Sequence, residues 1–284
     1  MVDYKNIELK AKELSHERNI DYYELLQRFM FERILERISV SKYNDNFILK
    51  GGLLLSAMFG IDNRTTKDMD TTIKGIDISK VNIVKILNEI LSINLNDSVK
   101  FELISTSDIR KDDEYGGNKY HIVGRLQNMK VNLEIDISTG DKVTPRELKY
   151  KYPLIFSDKE IIINSYNIET ILSEKIETVL KRGVYNSRMK DFYDIYVFIN
   201  NFSKDINYDN FLSAMRNTFE KRNSLKILED YKTILNEVKE NERLNKLWNK
   251  YTIKRNYAKN VEFSAIIKAL DKFLDKYSIF SYNA

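Results

Sequence analysis

The chain has no cysteine, only two prolines, nine glycines and two histidines in 284 residues. Without cysteine there can be neither a disulfide nor a thiolate zinc site. His16 and His121 lie far apart in sequence, so a histidine-rich metal centre is not expected. Any metal would be a hard cation on carboxylate oxygen. So few prolines and glycines leave little scope for long flexible linkers. No window approaches the roughly 18 to 20 apolar residues of a membrane span. The opening stretch "MVDYKNIELKAKELSHERN" has no apolar run of signal length. These absences lead us to expect a cytoplasmic protein without a membrane partner.

What is present supports a packed core: 43% of residues are hydrophobic and 12% aromatic. The net charge of +4 is unevenly spread. Residues 1–170 hold 25 Lys and Arg against 27 Asp and Glu, whereas residues 171–284 hold 21 against 15. An acidic front half and a basic back half fit a carboxylate metal site beside a polyanion-binding surface, or ordinary surface variation.

Periodicity orders the chain. "NIDYYELLQRFMFERILERIS" reads as an amphipathic helix with Leu25, Leu26, Phe29, Met30, Ile34 and Ile38 at helical spacing, capped by Asn19 or Asp21. "NFILKGG" is a short strand ending in glycines, and "LLLSAMFG" a short helix stopped at Gly60. "KDMDTTIK" alternates as a strand, "ISKVNIVKILNEILSI" is helical, and "VKFELISTSDI", "KYHIVGRLQ" and "MKVNLEIDIS" alternate again. The acidic stretch "RKDDEYGGN" suits a hairpin turn. After "KEIIINSYN" the chain turns helical from about residue 168. Strands and helices first, then helices alone, predict an α+β fold: a mixed-sheet domain over 1–165 and a helical domain over 166–284.

Chemistry concentrates in a few places. In "KDMDTTIK" the period of two puts Asp68 and Asp70 on one face, with Cα atoms roughly 6.5 to 7 Å apart. Two such anions repel unless a cation neutralises them, although a solvated strand edge would show the same dipeptide. "KVNLEIDIS" buries Val131, Leu133, Ile135 and Ile137 and presents Asn132, Glu134 and Asp136. If this strand lies antiparallel beside the first, Asp136 completes a carboxylate triad suited to two Mg²⁺ ions and in-line phosphoryl transfer. Glu134 shares that face or forms a cross-strand pair. Gly51 and Gly52, at a strand end leading into a helix, would expose backbone N–H groups to a phosphate.

In "NIETILSEKIETVLKRGVYNSRMKDFYDIYVFIN", Asn167 caps one helix, Gly183 ends it and Ser187 caps a second. Lys175 borders the apolar stripe of the first. Asp191, Asp194 and Phe198 share a face of the second. Lys175 and an aspartate could serve a triphosphate site or form an interhelix salt bridge. "LWNKYTIKRNYAKN" interleaves aromatic and basic residues as an RNA surface would, or buries Trp248, Tyr251 and Tyr257 as core anchors.

Taken together, "FILKGGLLL", the Arg64-x-Thr66-x-Asp68-x-Asp70 run, "LEIDIS", "SEKIETVLKRG…NSRMKDFYDIYVF" and "FLSAMRNTFEKRN" resemble the AbiEii/AbiGii-type nucleotidyltransferase toxins. That family is a branch of the polymerase β-like nucleotidyltransferases and includes the MenT toxins. The resemblance spans roughly residues 47 to 222. It implies that Asp68, Asp70 and Asp136 bind Mg²⁺, two ions in all. It also implies that Gly51, Gly52 and Arg64 serve the incoming NTP. Lys175 resembles the family's triphosphate-side lysine, and Asp191 or Asp194 its later acid. Leu53 departs from the pattern, which often has Ser or Thr there. That leaves a backbone-only phosphate contact. The implied setting is a toxin paired with an antitoxin, acting in abortive infection and phage defence. The implied reaction is NMP transfer from an NTP to RNA, the tRNA acceptor end above all. A protein or small-molecule acceptor, or a nucleotide-binding module acting through a partner, are the other readings.

Overall fold

A computed structural model describes residues 6–108, 117–139 and 142–277. Contacts divide the chain into two compact units, Met1–Asp141 with Glu147–Ser165, and Lys142–Arg146 with Tyr166–Ala284. No helix among the described residues is long and apolar enough to cross a membrane.

The first unit opens with helices α1 (Ile7–Arg18) and α2 (Tyr22–Val40). Strand β1 (Phe47–Lys50), helix α3 (Gly51–Phe59), strand β2 (Met69–Ile73) and helix α4 (Lys80–Leu91) follow. Strands β3 (Val99–Asp108), β4 (Gly117–Leu126), β5 (Met129–Ser138), β6 (Leu148–Pro153) and β7 (Glu160–Ser165) complete it. The seven strands form one mixed sheet in the order β3-β4-β5-β2-β1-β7-β6. The α+β class expected from the pattern is the one observed.

The Asp21 carboxylate accepts from the Glu24 N–H at 3.0 Å and so starts α2. This helix lies over the face of the sheet that carries Val131. Gly124, opposite Val131 on β4, leaves room for Met30, whose Sδ would be 2.9 Å from any Cβ there. The helix is not amphipathic in the expected sense, because Arg28, Glu32, Arg33 and Arg37 are buried beside its apolar residues. Pairing makes this tolerable. Arg37 grips Asp97 through both terminal nitrogens at 2.8 and 2.9 Å, and Glu32 accepts from Arg28 and from the Ile155 N–H.

The strand that bears Asp136 runs parallel, not antiparallel, to the strand that bears Asp70. Helix α4 carries the chain back so that β3 starts in the direction of β2, and two hairpin reversals give β5 that direction again. The turn expected in residues 110–118 falls, except for its last two residues, outside the described residues. The pattern missed two elements. Helix α1 buries only Ile7 and Ala11, so it shows little periodicity. Strand β6, "LKYKYP", is an edge strand whose lysines and terminal proline suit an unpaired rim.

The second unit holds α5 (Ile168–Arg182), α6 (Met189–Asn201), α7 (Tyr208–Lys221), α8 (Tyr231–Glu240), α9 (Glu242–Lys254) and α10 (Phe263–Lys276). Asn167 caps α5 by accepting from the Thr170 N–H at 2.8 Å. Ser187 does not cap α6. That helix starts after Arg188, whose N–H goes to the Asn186 side chain at 2.8 Å.

Candidate active site

Strand β1 hands the chain to α3 through Gly51, whose φ of +66° few other residues adopt. An added Cβ at Gly51 would lie 1.9 Å from Asp70 Oδ2, and one at Gly52 would lie 2.4 Å from Thr66 Oγ1. The two glycines therefore let the Asp70 carboxylate and the Thr66 hydroxyl rest against the first turn of the helix. The Gly52 N–H faces Asp70 Oδ2 at 3.4 Å. Leu53 follows and is fully buried. Its side chain belongs to the core, so this position offers a phosphate no hydroxyl. Ser56, one turn on, is buried as well.

Strand pairing builds a row of charge across the sheet. Lys50 on β1 is opposite Asp70 on β2, Asp70 is opposite Asp136 on β5, and Asp136 is opposite Lys119 on β4. Residues directly opposite share a face, so lysine, aspartate, aspartate and lysine stand side by side. All four are half-buried. The Lys119 ammonium lies 3.2 Å from Asp136 Oδ1 and 2.6 Å from Glu134 Oε2. Glu134 also faces His121, at 3.6 Å.

Burial raises the pKa of Asp136. Lys119 opposes that shift, and the nearby charges of Asp68 and Glu134 add to it. Oδ1 of Asp136 is buried and accepts no aligned hydrogen bond. Such an atom suits a cation. Asp68 immediately precedes β2, and its Oδ1 accepts from the Thr66 hydroxyl. As placed, no three acidic or histidine side chains among the described residues converge into a metal cage. Asp70 and Asp136 do fit a hard cation: an adjacent pair of carboxylates, one with a buried oxygen already 3.2 Å from an ammonium, against a glycine where a Cβ would collide with Asp70. Arg64 is buried, and its guanidinium donates to the Thr65 carbonyl.

Lys119 was not among the residues singled out from the sequence, although a signal for it exists. Strands β4 and β5 are joined by the two-residue turn Gln127–Asn128, with Gln127 at φ +51°. A two-residue turn sets the register of the whole hairpin, and that register puts Lys119 opposite Asp136.

In the helical unit, both candidate acids hold Lys175. Its ammonium lies 2.7 Å from Asp191 Oδ1 and 2.8 Å from Asp194 Oδ2. Arg188 Nε meets the other oxygen of Asp191 at 2.8 Å. Burial would lower the Lys175 pKa, but the two aspartates outweigh it and raise it. The "FLSAMRNTFEKRN" segment packs α7 on α5. Ala214 and Phe219 are buried, and Arg222 reaches Glu177 at 2.7 Å. Trp248 is buried too, donating its indole N–H to the Val261 carbonyl at 2.8 Å and lying against Tyr251 and Phe263. It is a core anchor, not an exposed stacking surface.

Comparison with solved structures gives distant likenesses. A Helicobacter pylori protein described as a candidate nucleotidyltransferase is 15% identical, with a TM-score of 0.50 over 90% of this chain and 98% of its own. JHP933, also from Helicobacter pylori, is 15% identical with a TM-score of 0.49 over 91% and 96%. An antigenic nucleotidyltransferase-like protein from Paracoccidioides brasiliensis is 19% identical with a TM-score of 0.40 over 70% and 93%. Comparison with curated proteins gave no match. Residues 33–276 match the family model described as nucleotidyl transferase AbiEii toxin, type IV TA system. The chain is thus a nucleotidyltransferase belonging to the AbiEii toxin family of type IV toxin–antitoxin systems.

Proposed function

We propose that this toxin transfers a nucleoside monophosphate from an NTP to an RNA hydroxyl, the 3′ end of tRNA being the acceptor, with Mg²⁺ as the metal. The observation that carries this reading is the Asp70–Asp136 pair placed against the glycine entry to α3. Asp70 and Asp136 would hold the metal, with Asp68 beside them. When bound, Mg²⁺ would neutralise the carboxylates and act as a Lewis acid toward the triphosphate, and a two-ion set suits in-line transfer. The rest falls to the chain itself. Backbone N–H groups in the first turn of α3, where the Gly52 N–H makes only a long contact to Asp70 Oδ2, bind and orient a phosphate, aided by the positive end of the helix dipole. Leu53 makes that contact backbone-only.

Charge supports RNA as the acceptor, since residues 171–284 carry six more basic than acidic residues. Within that unit Tyr185 is 86% exposed, at a turn flanked by Arg182 and Arg188. Such an aromatic can stack on an unpaired base. The cytoplasm and a cognate antitoxin complete the proposed setting.

The experiment uses NTPs labelled at the α-phosphate, with total RNA in one arm and protein or aminoglycoside in others. Label recovered at a tRNA 3′ end supports the reading. Label confined to protein or drug overturns the RNA acceptor.

A further inference from the structure

Two carboxylates in register on a half-buried sheet face repel each other in the absence of a cation. The fold therefore needs a resident positive charge, and Lys119 supplies one. Its ammonium sits 3.2 Å from Asp136 Oδ1, yet that oxygen receives no aligned hydrogen bond. The shorter contact, 2.6 Å, is to Glu134 Oε2. Lysine is a point charge on a flexible stem, so it can leave one carboxylate for another at little cost. Glu134 is two residues along β5 on the same face and is more open to solvent than Asp136. His121, opposite Glu134 on β4, lines the far side of this pair.

We propose that Lys119 is a built-in counter-ion for Asp136 that yields its place to the divalent cation by moving fully onto Glu134. The inference rests on the reading of Asp70 and Asp136 as cation ligands. Lys119 is a positioning residue here: it keeps the acidic pair in register without metal and competes with the metal for Asp136. Glu134 is the resting partner that makes the exchange cheap. The two residues should therefore affect cation affinity in opposite senses. Removing the lysine takes away the cation beside Asp136 and tightens cation binding. Removing the Glu134 charge ties Lys119 to Asp136 and weakens it.

The test is calorimetric titration of the full chain with MnCl₂ or MgCl₂ alone, together with melting curves with and without the ion. Lys119→Met should bind about tenfold tighter, the effect of deleting one like charge within a few ångströms. Metal-free, it should melt lower than wild type and recover more when the ion is added. Glu134→Gln should bind more weakly, and that loss should shrink in the Lys119→Met background. Lys119→Gln gives the same sign if the methionine variant does not fold. Unchanged or weaker binding by both Lys119 variants, with binding abolished by Asp136→Asn, overturns the counter-ion role and leaves the metal site standing. Binding indifferent to Asp136→Asn overturns both.

Discussion

Asp70 and Asp136 stand directly opposite each other on parallel strands, and Asp70 is pressed against the one residue of α3 that has neither a side chain nor a negative φ. The close approach of Gly51 and the pairing of the two carboxylates are parts of one arrangement. Helix N-terminus and acidic pair are adjacent because nothing at position 51 keeps them apart.

Gly51→Ala tests that arrangement against Gly60→Ala. Both positions have positive φ, so both substitutions carry a backbone cost of about 1 to 2 kcal/mol. At Gly60 the nearest atom to a new Cβ is Asn63 Nδ2 at 3.8 Å, whereas at Gly51 it is the Asp70 carboxylate. Melting curves should show a loss for both variants, the larger one for Gly51→Ala because Asp70 must also shift. Nucleotide transfer should fall sharply only in Gly51→Ala. Equal activities would mean that Asp70 need not lie where it does.

Lys175→Met would leave Asp191 and Asp194 buried without their shared counter-ion. A broken buried pair of this kind costs about 3 to 5 kcal/mol. Denaturant titration should show a loss of that size, and Lys175→Arg should lose less. A variant as stable as wild type that binds NTP poorly would instead give this lysine the triphosphate role that the resemblance implies.

Acid should weaken the same bridge. Burial alone would raise the pKa of Asp191, but Lys175 and Arg188 outweigh it and hold the carboxyl well below the usual range. The unfolded chain, with its ordinary value near about 4, then takes up the proton first as pH falls. The stabilisation is fully present above that value and is lost below it. Denaturant stability measured from about pH 6 down to pH 3 should fall less steeply in Asp191→Asn than in wild type. Equal slopes would contradict the assignment.

How far the sequence could be read depended on the range of each interaction. Local signals were legible: the Asp21 and Asn167 caps, the glycine stop at Gly60, and the alternation that puts Asp136 on the face opposite Val131 and Ile135. The order of the elements, strands and helices first and helices alone after, was enough for the α+β class. Strand direction was not legible, because Asp70 and Asp136 alternate identically in parallel and antiparallel neighbours. The burial of Arg37 and Glu32 on α2 was not legible, since their partners Asp97 and the Ile155 N–H lie far along the chain. The aromatic and basic pattern around Trp248 fitted both an RNA surface and a core, and only packing against Val261 and Phe263 decided it.

The role of the paired carboxylates is tested most directly by comparing wild type with Asp70→Asn and Asp136→Asn in transfer of α-labelled nucleotide to total RNA. Circular dichroism would check that all three fold alike. Each variant should lose at least about a hundredfold in transfer and no longer arrest growth when expressed. A folded variant that still labels RNA at the wild-type rate would contradict that role.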